Sequence, residues 1–283
     1  MHLWNSNEYA EYFLEVCDHR VLLDRQPFGK LVAVQKKEEA MIRSICVATL
    51  IALVAATPGT VRAEGLIVQL PKDGAWAQFE MVQVKGLVDS NSGKTLIEDR
   101  TTQATLRIAS VGKATVEKKS CRWIEFKVEE PTGGSAKTTI LKLLIPDEHL
   151  KKGGDPAGNI MHGGVKGGDK LIRPIEDGDN IPVRLLVAGP QEKLTKLDPK
   201  VVDCKAGKLK CDGLSGTSTW KGDSERIFHT THELCLHKKS PFGVAWWKSE
   251  TELVNKGARM TIRMTSSLLE SGSDATCEFP DNN

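Results

Sequence analysis

The chain has 283 residues, and its 39 lysines and arginines nearly balance its 37 aspartates and glutamates, so the formal net charge is +2. A balance this even argues against a protein that binds nucleic acid through a basic stripe. It also argues against a polybasic protein that binds a membrane surface. We therefore expect no nucleic-acid partner.

Residues 41–63 have the composition of a secretory signal peptide. Such a signal combines a cationic start, an apolar run of about 7–15 residues and small residues at the cleavage site. Arg43 supplies the charge, and the next thirteen residues, Ser44 to Ala56, carry none. Val61 and Ala63 are small enough for the cleavage site. The sequence therefore predicts export, to the periplasm or the extracellular space, with cleavage after Ala63.

A transmembrane anchor and a buried core helix are the alternatives to a signal peptide for this apolar run. A membrane-spanning helix needs about 20 apolar residues, and this run stops before Pro58. Residues 1–40 are interpreted as an upstream extension from a mis-assigned start codon, or else as a disordered cytoplasmic tail. Residues 64–283 then form a single β-rich domain without a transmembrane helix.

Strand patterns dominate the first half of this domain. Residues 75–84 and 139–145 are extended apolar stretches. Apolar and polar residues alternate along residues 122–128, which places Ile124 and Phe126 on one face of a strand and Glu125 on the other. Residues 146–154 are predicted to be a short helix, because proline begins the segment and glycine ends it.

The middle of the domain is predicted to contain less regular structure. Residues 153–168 include seven glycines, so we expect a glycine-rich surface loop. Residues 194–202 are interpreted as a helix, although Pro199 weakens that interpretation.

The last third of the chain predicts an antiparallel meander. Its strands are expected at residues 226–237, 242–253 and 258–265, and short connections between neighbouring strands imply hairpins. In the last strand Ile262 and Met264 are expected to point inward and Arg263 outward. Trp246 and Trp247 are adjacent, so a strand would direct them to opposite faces.

The predicted domain contains five cysteines, and export would favour disulfides. The first expected pair is Cys204–Cys211, which would close a small loop, and the second is Cys235–Cys277. Because five cysteines cannot all pair within one chain, at least one thiol stays free, and we expect it to be that of Cys121. The alternative is that all five are buried thiols.

The segment from His229 to His237 is a candidate metal site. It contains His229, His232, Glu233 and His237, whose side chains are all zinc ligands. The spacing does not match the helical H-E-x-x-H motif. On a strand, neighbouring side chains on one face are about 6.6 Å apart, so other strands would have to complete the ligand set. An edge strand with mixed polar side chains is the alternative.

No phosphate-binding or serine-hydrolase motif is complete. Ser92-Gly-Lys-Thr95 lacks the first glycine of a P-loop, and no histidine follows His237 to complete a GDSL-type block that would begin at Gly222-Asp-Ser224. We therefore predict no cofactor and favour a protein that is not an enzyme.

The segments Ser240-Pro-Phe-Gly-Val244, Trp247-Lys-Ser-Glu, Trp123-Ile-Glu-Phe and Ile140 to Leu150 resemble a group of exported bacterial β-proteins of uncharacterised function. The outline of those proteins is similar to the periplasmic lipoprotein-carrier fold. The resemblance implies a mainly β (α+β) protein, with one strongly curved antiparallel sheet or half-barrel and a few short helices. The family's best-known members carry fatty or lipid groups in the hollow of the sheet.

Three functions remain open from the sequence. The first is a non-enzymatic binding or carrier module for a hydrophobic small molecule or lipid. Its predicted ligand-binding residues are Ile124, Phe126, Trp246, Ile262 and Met264. The second is a hydrolase of an envelope or extracellular polymer that uses His229, His232 or Glu233. The third is a structural protein of the envelope.

Overall fold

The computed structural model describes residues 66–279 apart from short gaps at 90–94, 133–134, 168–172, 176–185, 188, 206, 222–226 and 256–257. All of these residues belong to the second of the chain's two units, Val61–Asn283. The predicted signal peptide and the extension before it lie outside the described residues. The strands are β1 (Trp76–Asp89), β2 (Thr95–Val116), β3 (Lys119–Thr132), β4 (Ser135–Pro146), β5 (His162–Gly167), β6 (Arg173–Pro174), β7 (Glu192–Cys204), β8 (Gly207–Lys221), β9 (Ile227–Leu236), β10 (Val244–Asn255) and β11 (Ala258–Gly272).

These strands form one sheet of eleven in the order β6-β5-β4-β3-β2-β1-β11-β10-β9-β8-β7. Every neighbouring pair described is antiparallel, and β1 pairs with β11, so the first and last strands meet at the centre of the sheet. The sheet is not closed: β6 and β7 are its two edges. The prediction of a mainly β protein with one antiparallel sheet is confirmed, but in place of the predicted few short helices the described residues contain a 3-10 turn at Asp147–His149. A sheet of this width is expected to curl, because strand twist accumulates from one strand to the next.

One face of the sheet carries the main hydrophobic core, and we call it the inner face. It includes Phe79 of β1, Phe126 of β3 and Trp247 of β10, all of which are fully buried. Leu66, Val187 and Phe242, which lie outside the strands, belong to the same buried cluster. Alternation along the strands explains the arrangement, because every second side chain of each strand points to this face.

Two pieces of the chain cover parts of the opposite, outer face. The C-terminal segment, residues 274–279, lies over β1 to β4: Asp274 accepts a hydrogen bond from Trp76, and Glu278 pairs with Arg107 and Lys127. At the other side of the sheet, the turn between β7 and β8 reaches β11, where the Lys205 amide donates to the Leu269 carbonyl at 2.7 Å. The outer face is therefore only partly exposed to solvent.

The structure corrects three predictions of local structure. Residues 194–202 are not a helix; they belong to β7, whose pairing with β8 shifts register between Leu197 and Lys200, where Pro199 cannot donate a hydrogen bond. Residues 146–154 contain only a 3-10 turn at Asp147–His149.

The glycine-rich segment is a loop only in its first part. Residues 162–167 form β5, which pairs with β4. A side chain at Gly163 would come within 2.5 Å of Ile175 and 3.1 Å of Leu143. Glycine at this position therefore permits close packing within the sheet and does not mark a loop.

Candidate functional site

Four of the five predicted ligand-binding residues lie together on the inner face. Ile124 and Phe126 of β3 and Ile262 and Met264 of β11 are all buried and belong to one apolar cluster. The sequence alternation in β3 and β11 predicted this orientation correctly. These side chains make the inner face apolar across strands that are far apart in the sequence.

The fifth residue, Trp246, lies elsewhere. Adjacent tryptophans point to opposite faces, as predicted, but Trp247 is the inner one and is fully buried. Trp246 is half-buried on the outer face, where the ammonium group of Lys200 lies 3.4 Å from the centre of its ring. Its register partner in β9 is Cys235, which occupies the same face. The structure therefore separates Trp246 from the other four residues.

Polar side chains replace apolar ones on part of the inner face of β8, β9 and β10. The Ser218 hydroxyl and the His232 Nε2 atom are 2.9 Å apart, and the hydroxyls of Thr230 and Thr251 are 3.0 Å apart. All four residues are buried. These two contacts join neighbouring strands and satisfy part of the hydrogen-bonding capacity of the polar region.

Four further buried polar atoms in this region have no hydrogen-bond partner within the described part of the chain. They are His232 Nδ1, Trp247 Nε1, Ser249 Oγ and Ser266 Oγ. His232 is the direct cross-strand partner of Ser249, and Trp247 is the direct partner of Ser266. We call these four side chains the inner polar cluster. It borders Met264, which lies opposite Ser249.

His232 is held in its neutral form. Burial lowers the pKa of its imidazole from 6.5 to about 4, because the charged form loses its hydration in the interior. With such a low pKa, the ring is a weak base near neutral pH. The contact with Ser218 therefore fixes the orientation of the ring but does not amount to an activated nucleophile.

The predicted metal ligands do not converge. His229 is exposed on the outer face beside Thr219, whereas His232 is buried on the inner face. Glu233 is on the outer face near Lys248, at 3.8 Å, and His237 accepts a hydrogen bond from the Lys239 amide beyond the end of β9. Among the described residues no group of three or more His, Cys, Asp or Glu side chains could hold a metal ion. A hydrolase site built from His229, His232 and Glu233 is likewise divided between two faces.

The predicted disulfides are absent among the described cysteines, because all five are free thiols. Cys204 pairs with Gly207 at the end of the β7–β8 hairpin, whereas Cys211 lies opposite Lys200 further along it. Cys235 is in β9, but Cys277 contacts Glu125 of β3, several strands away. The hairpin register and the sheet order therefore prevent both proposed pairs.

A buried charged group beneath the C-terminal segment was not expected from the sequence. Glu125 and Lys142 are direct partners on the outer faces of β3 and β4, and both are buried. The Glu125 carboxylate accepts hydrogen bonds from the Cys277 thiol and from the backbone amides of Glu278 and Phe279. The Lys142 ammonium group lies 3.1 Å from the same thiol. Alternation placed Glu125 on the face opposite Ile124 and Phe126, and only the tertiary contact reveals that it is covered.

No helix in the described part of the chain is both long and apolar enough to cross a membrane.

Comparison with known proteins finds likenesses among solved structures, and they are weak. No family model matches the chain, and no curated protein matches it. Among solved structures, the chain is similar to a Bacteroides fragilis protein assigned as exported, with a YmcC-like fold. The TM-score is 0.31 at 9% identity, and the match covers 74% of this chain and 100% of that chain.

Proposed function

We propose that the protein is an exported, non-enzymatic binding module for an apolar or lipid-like ligand, which binds on the inner face of the sheet. The observation that carries the proposal is the position of Ile124, Phe126, Ile262 and Met264, which share one apolar cluster on one face. Export is supported by the signal-peptide pattern of residues 41–63. The resemblance to lipoprotein carriers supports the ligand class but transfers no ligand residue.

A binding role is also favoured because the polar side chains of β9 do not form a catalytic arrangement. The candidate catalytic groups of β9 are divided between two faces, and the buried imidazole is a weak base because its pKa is about 4. The inner face instead offers apolar area, and burial of apolar area is the main source of affinity for a lipid-like ligand, at roughly 25 cal/mol per Å². The ligand would displace packing contacts between this face and cluster residues from outside the strands, such as Leu66, Val187 and Phe242.

Titration with the uncharged fluorescent probe N-phenyl-1-naphthylamine tests the proposal. We expect the purified protein to bind it, and Met264→Gln to weaken binding about tenfold, because an amide on the inner face must be desolvated. Thr265→Gln is the matched control, since its half-buried side chain belongs to the outer face of the same strand. That variant should stay within about twofold of the wild type.

Absence of probe binding to the wild-type protein would contradict the proposal. Equal weakening by the two glutamine variants would also contradict it, because the probe would then not distinguish the inner face from the outer one.

A further inference from the structure

The inner polar cluster is a compact group of hydrogen-bonding atoms within an apolar surface. His232 and Ser249 are opposite each other on β9 and β10, and Trp247 and Ser266 are opposite each other on β10 and β11. Side chains directly opposite in a sheet have Cβ atoms about 5 Å apart, and Trp247 and Ser249 are about 6.6 Å apart along one face of β10. Each of the four side chains is therefore next to at least one other member, and Trp247 and Ser249 of β10 lie between His232 and Ser266.

Every member of this cluster is almost completely buried. Their exposed fractions are 3% for His232, 0% for Trp247, 2% for Ser249 and 0% for Ser266. A buried donor or acceptor without a partner is costly, and native proteins rarely keep one without a reason. Four such atoms at neighbouring positions point to a hydrogen-bonding group from outside the described chain that satisfies some of them.

The surroundings of the cluster exclude a charged group. The inner positions of β8 to β11 that flank it carry apolar residues, Ser, Thr, Gly and His, and none carries Asp, Glu, Lys or Arg. Charged side chains of the inner face lie outside these flanking positions, for example Lys85 of β1, Arg122 and Glu130 of β3, and Asp212 of β8. An ion bound at the cluster would lose its hydration without gaining a counterion beside it, which is strongly unfavourable.

We propose that the inner polar cluster binds the uncharged hydroxyl or carbonyl head group of an amphiphile whose apolar chain lies on the inner face. This inference rests on the binding function proposed above and specifies the ligand class. Trp247 can only donate a hydrogen bond, whereas each serine hydroxyl can donate and accept. The cluster therefore offers complementary partners to an alcohol, which both donates and accepts.

Displacement of N-phenyl-1-naphthylamine by three ligands of equal chain length tests the inference. We use 1-decanol, 1-chlorodecane and decanoate, which carry a hydrogen-bonding, a non-hydrogen-bonding and a charged end group. Decanol should bind about tenfold more tightly than chlorodecane, and decanoate should bind more weakly than decanol.

A double variant, Ser249→Ala with Ser266→Ala, should reduce decanol binding to the level of chlorodecane and leave chlorodecane within about twofold of its wild-type affinity. Because the removed hydroxyls have no partner in the described chain, the variant should fold with an unchanged or higher melting temperature. Ser267→Ala is the control, since Ser267 neighbours Ser266 but lies on the outer face opposite Trp246.

Each other result overturns the inference. Equal binding of decanol and chlorodecane by the wild type would mean that ordered water satisfies the cluster, and the proposed function would remain. Preferential binding of decanoate, or an unchanged decanol preference in the double variant, would place the head group elsewhere. Failure of the probe and of all three ligands to bind would overturn the proposed function as well.

Discussion

Glu125→Ala is expected to lower the free energy of unfolding by about 3–5 kcal/mol, the range for removal of one partner from a buried charged pair. The carboxylate of Glu125 accepts three hydrogen bonds from residues 277–279, 152–154 residues away in the sequence. It also lies directly opposite the buried Lys142. Its removal takes a negative charge from the neighbourhood of this ammonium group and leaves two backbone amides without their acceptor.

Urea denaturation with linear extrapolation measures the effect, and Glu129→Ala is the matched control. Glu129 lies on the same strand and face, but its side chain is 41% exposed in its ion pair with Lys127, so we expect a loss of less than about 1 kcal/mol. The Glu125 variant should also lose its C-terminal residues to protease faster than the wild type. Equal stability losses in the two variants would contradict the role assigned to Glu125.

Protonation of His232 is expected to destabilise the fold by an amount on the order of 3 kcal/mol at low pH. The pKa of the imidazole is 6.5 in its ordinary state and about 4 in the fold, and each pKa unit corresponds to about 1.36 kcal/mol. Because the folded state binds the proton less readily than the unfolded state, this contribution to stability is fully present above pH 6.5. It is lost progressively as the pH falls from 6.5 to 4.

The comparison that isolates this effect is the pH dependence of unfolding in the wild type and in His232→Gln. Glutamine keeps a neutral hydrogen-bonding group near Ser218 but does not titrate. The side chains opposite His232 on its neighbouring strands, Gly216 and Ser249, do not titrate either. The wild type should therefore lose more stability than the variant between pH 6.5 and 4. Parallel pH profiles would show that this histidine is not held neutral by burial.

The residues of the inner face could be predicted from local sequence, because every second side chain of a strand points to the same face. In β3 and β11 the period of two assigned Ile124, Phe126, Ile262 and Met264 correctly to one face. The same rule separated Trp246 from Trp247, but it could not tell which ring is inside, because both are equally apolar. That choice depends on the neighbours of β10, which are distant in sequence.

The remaining errors share a physical cause, the dominance of tertiary contacts over local signals. Residues 194–202 have no strong strand pattern of their own and become extended by pairing with β8. Glu125 has the sequence position of an exposed residue and is buried only because the C-terminal segment covers it. Cysteine pairing likewise could not be derived from spacing, since the hairpin register keeps Cys204 away from Cys211.

Native mass spectrometry of the protein isolated from its own cells tests the central claim, an exported chain that carries an apolar amphiphile on its inner face. We predict a chain that begins at Glu64, with five reduced cysteines and one small uncharged amphiphile that is released on denaturation. A chain that still begins at Met1 and carries no bound molecule would contradict both export and ligand binding.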